Sequence, residues 1–310
     1  MTHITEEQVR EVLPMATAIE LVEESFQRLD AGRVVNHPRR RVVLENSAVL
    51  HYMAAGDNSE GLLAAKLYVT NPRAGASFLV ALFDAGKATL LATIDANVLG
   101  QIRTGAATGV ATRHLARAGA ATLGMIGGGF QAAAQLEAVA AVRPLRRVRV
   151  YSRTPRNRAA FAERMSRQLD LAVEAVDTPR QAIEESEIVV TITNAREPVL
   201  EGAWLPWGCH VNAAGSNQAK RREIDTAAVE GCALIAVDSL DQAKMEAGDL
   251  IAAAEEGCLD WQRVVELSGI VSGRVAGRQA PSEITLFESQ GLAAEDLAVA
   301  GYVYRQVTGR

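Results

Sequence analysis

The sequence is poor in the residues that anchor several common chemistries. It has three cysteines, Cys209, Cys232 and Cys258, in 310 residues, an odd and widely spaced set that gives no disulfide framework and reads as reduced structural thiols. Its five histidines, at positions 3, 37, 51, 114 and 210, never fall at zinc-ligand spacing. The adjacent Cys209 and His210 would point to opposite faces of a strand, so neither a metal site nor a Cys–His nucleophile is expected. No excess of positive charge is present: 32 Lys plus Arg against 37 Asp plus Glu leave a net charge of -5. General attraction to nucleic acid or anionic lipid is thereby excluded, and any cationic site must be local. No uncharged apolar run approaches membrane-spanning length, and the opening Met1-Thr2-His3-Ile4-Thr5-Glu6-Glu7 lacks the basic start and apolar core of a signal peptide. A cytoplasmic protein with neither a membrane nor a nucleic-acid partner is the expectation. Proline is scarce at nine residues, and apolar residues make up 48% against 22% charged, an ordinary globular balance that supports a sizeable core. The length exceeds the usual span of one core and predicts two domains.

Thr5-Glu6-Glu7-Gln8 has the form of a capping box and opens a short helix that stops before Pro14. Met15, Ile19, Val22, Phe26 and Leu29 then recur at helical spacing in an amphipathic helix ended by Gly32. From Arg40 to Asp95 the texture changes to short β-branched and aromatic runs: Arg41–Glu45, Val49–Ala54, Leu62–Thr70, Phe78–Asp84 and Ala88–Asp95. These predict antiparallel strands, with turns at Ala54–Asn58 and Asp84–Lys87. An Ala-rich helix follows to about Ala118. Strands near 121–126, 147–152, 172–177, 187–193, 210–215 and 234–238 then alternate with helical stretches, which predicts an α/β, Rossmann-type doubly wound parallel sheet. Thr154-Pro155 and Thr178-Pro179 each set a capping hydroxyl before a first-turn proline. The strand-like Ile284–Phe287 precedes a closing helix, Ala293–Gln306.

The most specific motif is Gly127-Gly128-Gly129-Phe130-Gln131-Ala132, which joins the apolar run Thr122–Ile126 to an Ala-rich helix. This is Gly-x-Gly-x-x-Ala in the context that dinucleotide binding requires. Gly127 permits the tight turn, Gly129 lets the backbone approach a pyrophosphate, Ala132 allows close helix–sheet contact, and amides near Phe130 and Gln131 face the anion. The next strand ends Ser152-Arg153-Thr154, without the acidic residue that holds a ribose 2′-hydroxyl in NAD-selective sites. Arg153, with Arg156 and Arg158 behind it and the hydroxyls of Ser152 and Thr154, suits a 2′-phosphate. The expected cofactor is therefore NAD(P)H, with NADP preferred over NAD.

A second chemistry-bearing feature is local positive charge. Lys66 interrupts an otherwise apolar strand, Leu62–Val69, and is expected to be near-buried, needing an anionic partner or a shifted pKa. Arg103 lies among small residues, Gly100 to Ala107, that let a ligand approach its helix. Arg40 belongs to Pro38-Arg39-Arg40-Arg41 at a strand start. Spacing alone does not join the three.

With these segments in hand, the chain resembles the ornithine cyclodeaminase/mu-crystallin family nearly end to end. Further matching segments are Asp95-Ala96-Asn97, Asn212–Gly215, Arg222–Asp225, Glu246–Asp249 and Ile284–Asp296. The resemblance implies a homodimer. It also implies an α+β substrate-binding and dimerisation domain, residues 1–118 and 285–310, beside a Rossmann domain, residues 119–284. It joins Arg40, Lys66 and Arg103 as a substrate clamp and places Thr191, Thr193, Ser289 and Gly291 at the nicotinamide end of the cofactor. Cyclodeaminases carry an aspartate where this chain has Asn217, and an amide cannot act as a general base, although it can orient substrate or water. The reading that follows is an NAD(P)-dependent oxidoreductase acting on the C–N bond of a small carboxylate-bearing amino or imino acid, as an imine (ketimine) reductase or amino acid dehydrogenase. In it Lys66, Arg103 and Asn217 work at the reacting centre. Two alternatives stand beside it: an ornithine- or lysine-type cyclodeaminase that releases ammonia, and a non-catalytic NADP-dependent binding protein of mu-crystallin type.

Overall fold

A computed structural model describes residues 1–309. Its contacts divide the chain into two units, Met1–Ala106 joined by the chain from Gly291 onward, and Ala107–Gln290. These boundaries differ from those expected at 118/119 and 284/285.

The first unit opens with β1 (Thr2–Ile4), α1 (Glu6–Val12) and α2 (Met15–Asp30). The capping box forms as read, with Thr5 accepting from the Gln8 amide and Gln8 reaching back to the Thr5 amide. Five strands follow: β2 (Val34–Val43), β3 (Val49–Asp57), β4 (Leu62–Asn71), β5 (Gly75–Asp84) and β6 (Thr89–Asp95). They make an antiparallel meander to which β1 adds in parallel at the β6 edge. Two boundaries depart from the sequence reading. The segment read as a turn at Ala54–Asn58 is strand as far as Asp57. Gly56 sits in the ladder, paired with Leu63 on β4. The first long strand also begins at Val34, seven residues before Arg41. A bulge between His37 and Arg40 hides its alternation.

The long helix α3 (Asn97–Leu115) leads into the second unit. There β7 (Thr122–Ile126), α4 (Phe130–Val142), β8 (Arg147–Tyr151), α5 (Pro155–Leu169), β9 (Val173–Ala175), α6 (Pro179–Ile183), β10 (Ile188–Thr191), β11 (His210–Ala213), α7 (Thr226–Glu230) and β12 (Leu234–Val237) build the alternation foreseen. They are followed by α8 (Leu240–Glu246), α9 (Gly248–Glu255), β13 (Val264–Glu266), α10 (Leu267–Val271) and β14 (Thr285–Glu288). All eight strands are parallel, in the order β13-β12-β14-β11-β10-β7-β8-β9. The order reverses direction at β7, as in a doubly wound sheet. β14 is hydrogen-bonded between β11 and β12, which is why residues 285–290 belong with this unit. Thr178 caps α6 as expected, whereas the Thr154 hydroxyl makes no capping bond at α5. Cys209 and Cys232 are buried free thiols, and burial pushes Cys209 up to about 12, the state of an inert structural thiol.

The last helix, α11 (Ala293–Thr308), returns to the first unit and packs with α2 on one face of the meander. The opposite face of β2–β4 presents Val35, Val42, Leu50, Tyr52, Leu67 and Val69 as exposed apolar side chains. No helix among the described residues is long and apolar enough to cross a membrane.

Candidate functional site

In the first unit, strand alternation sets the cations. Lys66 pairs with Met53 on β3 and Val80 on β5, all on the face that α2 and α11 cover, and is 4% exposed. Its ammonium lies 2.8 Å from Asp296 Oδ1 in the first turn of α11. Gly100 in α3 makes room for it, since a Cβ there would stand 3.0 Å from Lys66 Nζ. Arg103, 6% exposed, donates from Nε to the same Asp296 oxygen at 3.1 Å and from Nη1 to Glu295 at 2.9 Å. Both carboxylates sit at the positive end of the α11 dipole, a second stabilisation of their charge. Gly291, at φ +76°, is glycine for a close approach: a Cβ there would lie 2.2 Å from Arg103 Nη1.

The third cation differs from the one expected. Arg40 pairs with the outward-facing Tyr52 and is exposed, while Arg39 is 4% exposed and donates from Nη2 to the Gly291 carbonyl at 3.3 Å. The bulge between His37 and Arg40 turns Arg39 inward. A plain count of alternate residues could not place it, because one extra residue moves every later side chain to the other face. Arg39→Ala is therefore expected to raise the KM for a carboxylate substrate by roughly tenfold to a hundredfold. Arg40→Ala should change it less than about twofold; steady-state kinetics of both variants is the check, and equal effects would remove the distinction.

Lys66 and Arg103 face two carboxylates, Glu295 and Asp296, and Arg39 reaches the Gly291 carbonyl just before α11, so three buried cations gather at the start of that helix. Burial, then the Arg103 charge, lowers Lys66 to about 8 against the pull of Asp296. Burial also opposes the Arg103 charge, but Asp296 and Glu295 outweigh it and raise its pKa further. Lys66 is thus able to gain and lose a proton near neutrality.

In the second unit, Gly127 has φ +120° and its added Cβ would meet the Ile192 carbonyl at 2.3 Å, so both backbone shape and space demand glycine. Gly129 precedes α4 with nothing within 4 Å of an added Cβ, and no side chain caps the helix amides there. Phe130 is half-exposed; Gln131 Oε1 and Ser152 Oγ are buried without a hydrogen-bond partner among the described residues. An open glycine at an uncapped helix start, flanked by orphaned polar atoms, fits a dinucleotide. Arg153 and Thr154 follow β8 in exposed positions. Arg158 does not join them: it is buried, bonded to Asp177 and to the Ser152 carbonyl, and stacked over Tyr151. Arg156 remains exposed.

The other residues expected at the nicotinamide end have structural engagements. Thr191 and Thr193 both donate their hydroxyls to Glu223, at 3.0 and 2.7 Å, and the amides of Thr193 and Gly215 donate to the same carboxylate at 2.6 and 2.7 Å. Glu223 thereby ties the ends of β10 and β11 together, and burial raises its pKa to about 7 despite these donors. Ser289 donates to Asp238 at 3.4 Å. Gly291 belongs to the first unit with Arg39 and Arg103, and Asn217 is half-buried in the loop after β11. Sequence reasoning gave no role to Arg39, Glu223, Glu295 or Asp296. Only the acidic pair in a helix first turn carried a readable signal.

The chain matches the model of the ornithine cyclodeaminase/mu-crystallin family over residues 2–310. It is 34% identical to a Delta(1)-pyrroline-2-carboxylate reductase of Bacillus cereus, covering 100% of this chain and 98% of that protein. It is 32% identical to an alanine dehydrogenase of Archaeoglobus fulgidus, covering 99% and 95%. The structure of Thermococcus litoralis Delta(1)-pyrroline-2-carboxylate reductase in complex with NADH and L-proline superposes with a TM-score of 0.96 at 34% identity, covering 100% of this chain and 98% of that one. This chain belongs to the ornithine cyclodeaminase/mu-crystallin family.

Proposed function

We propose that the protein is an NAD(P)-dependent oxidoreductase of the C–N bond in a small imino or amino acid, working as an imine reductase of the pyrroline-2-carboxylate kind. The observation that carries this reading is the burial of Arg39, Lys66 and Arg103 together at the start of α11. A substrate carboxylate placed there meets guanidinium and ammonium donors in a site poor in water, where charge-assisted hydrogen bonds are strongest. The relatives named for pyrroline-2-carboxylate and alanine support the same class. Arg39 and Arg103 hold the carboxylate through guanidinium forks. Lys66 keeps a proton on Nζ for the imine nitrogen, which must become an amine as the 2-carbon is reduced. Gly127, Gly129, Phe130, Gln131, Ser152, Arg153 and Thr154 are the residues to hold the dinucleotide, which when bound supplies the hydride. Asn217, an amide, orients substrate or water and abstracts no proton.

The test follows nicotinamide absorbance with purified protein, NADH or NADPH, and Δ1-pyrroline-2-carboxylate, together with L-proline and L-alanine in the reverse direction. Turnover of the cyclic imine is expected. Ammonia released from ornithine or lysine without net cofactor change would replace this reading with cyclodeamination, and cofactor binding without any turnover would replace it with a binding role.

For coenzyme choice we favour NADP. With Arg158 committed to Asp177, the 2′-phosphate contact falls to Arg153, and Arg153→Ser is expected to weaken NADPH binding about tenfold while leaving NADH unchanged. Fluorescence titration with both cofactors checks this; equal affinities before and after the change would withdraw the preference. The exposed apolar face of β2–β4 supports a homodimer, to be weighed by light scattering.

A further inference from the structure

The face of the meander that carries Lys66 also carries a buried histidine that no step above uses. His51 is 6% exposed; it pairs with Arg41 across β2–β3 and with Tyr68 across β3–β4. Met53, two residues on, pairs with Lys66, so His51 lies one inward row from that lysine, a diagonal of about 7–8 Å between strand neighbours. Its ring stacks on Tyr68 with centroids 4.2 Å apart and planes 2° from parallel, and Tyr68 stacks on Phe78 at 5.1 Å. Nε2 lies 3.1 Å from the Thr70 hydroxyl. Nδ1 is buried and meets no hydrogen-bond partner among the described residues.

A buried ring nitrogen with no partner in the protein takes one from outside the chain, water or a ligand. The direction of that bond follows from the charges around it. Burial, then Arg41 and Arg39, lowers the histidine to about 4, so the ring is neutral at physiological pH. The Arg39 charge bears on Lys66 as well, which puts both side chains around the same guanidinium. Where the Thr70 hydroxyl donates to Nε2, the ring proton sits on Nδ1.

Resting on the reading above, we propose that His51 is a further substrate-binding residue. Its Nδ1–H donates to the substrate carboxylate beside Arg39, and the His51–Tyr68–Phe78 stack forms the wall against which a compact imine ring stands. The wall brings aromatic surface and no free charge, which favours cyclic imino acids over open-chain ones with a charged side chain.

Wild type, His51→Phe and Thr70→Val are compared in the reduction of Δ1-pyrroline-2-carboxylate with NADH, and in calorimetric binding of L-proline to the NADH-loaded protein. His51→Phe keeps the stack and loses the donor. Its KM should rise about tenfold or more, with L-proline binding weakened in parallel, kcat within about threefold and NADH affinity unchanged. Thr70→Val releases the tautomer, and a smaller KM rise at unchanged Tm is expected. KM values within twofold of wild type in both variants would overturn the proposal, as would a KM rise matched by an equal loss of NADH affinity, the mark of a structural role. Should His51→Phe not fold, Thr70→Val decides alone. A wild type that neither reduces the imine nor binds L-proline brings down the functional reading itself.

Discussion

Lys66→Met is expected to lower kcat/KM for imine reduction by about a hundredfold to ten-thousandfold, the range of a lost general acid, while NADH binding stays as in wild type. Methionine keeps the length and apolar stem of the side chain. Asp296 still receives Arg103 Nε at 3.1 Å, so the change removes a titrating proton with limited damage to packing. The pH profile carries the sharper signature. Reduction needs Lys66 protonated, and with its pKa lowered to about 8 by burial and Arg103, the wild-type rate should fall as pH rises through about 8. Oxidation of the amino acid needs the neutral amine and should rise across the same interval. The variant should lose both limbs. A variant that retains the wild-type profile would show that the proton comes from elsewhere.

The second large effect concerns stability. Arg103→Met leaves Glu295, 1% exposed, without the guanidinium that lies 2.9 Å away, and strips Asp296 of one of its two cations. Removing one partner of a buried pair costs about 3–5 kcal/mol, because the lost charge-assisted bonds are not replaced by water. In a chain of this size that corresponds to a fall in Tm on the order of 10 °C. Arg103→Lys should recover little, since an ammonium cannot reach both Glu295 and Asp296 with the spacing of a planar fork. Removing the negative side as well, in Arg103→Met with Glu295→Gln, should regain part of the loss. Thermal denaturation of the three variants is the measurement. An Arg103→Met protein that melts with the wild type would mean that the cluster is solvated in solution.

Much of the fold could be read from short-range pattern. The Thr5 capping box, the stop at Gly32 and the strand–glycine–helix passage at 122–142 all formed where the residues pointed. Each is decided by neighbours within one or two turns of backbone. The misses share a cause. Ala54–Asn58 reads as a turn because of its Gly-Asp-Asn, but pairing with Leu62–Ala65 on β4 carries the strand through to Asp57. Within Arg39-Arg40-Arg41 the family resemblance points to Arg40, and only the bulge tells that Arg39 is the one facing inward. Proximity in sequence groups Arg158 with Arg153, whereas α5 carries it back toward Asp177.

The sequence by itself determined the parallel sheet, the dinucleotide turn and the presence of a lysine that apolar neighbours would bury, because these depend on periodicity and steric rules confined to a few residues. Tertiary structure decided how the charges close. Lys66 and Arg103 meet carboxylates 230 and 192 residues away along the chain, and one inserted residue selects Arg39 over Arg40. The Coulomb energy of a buried pair depends on distance in space and on the water removed around it, and linear spacing specifies neither.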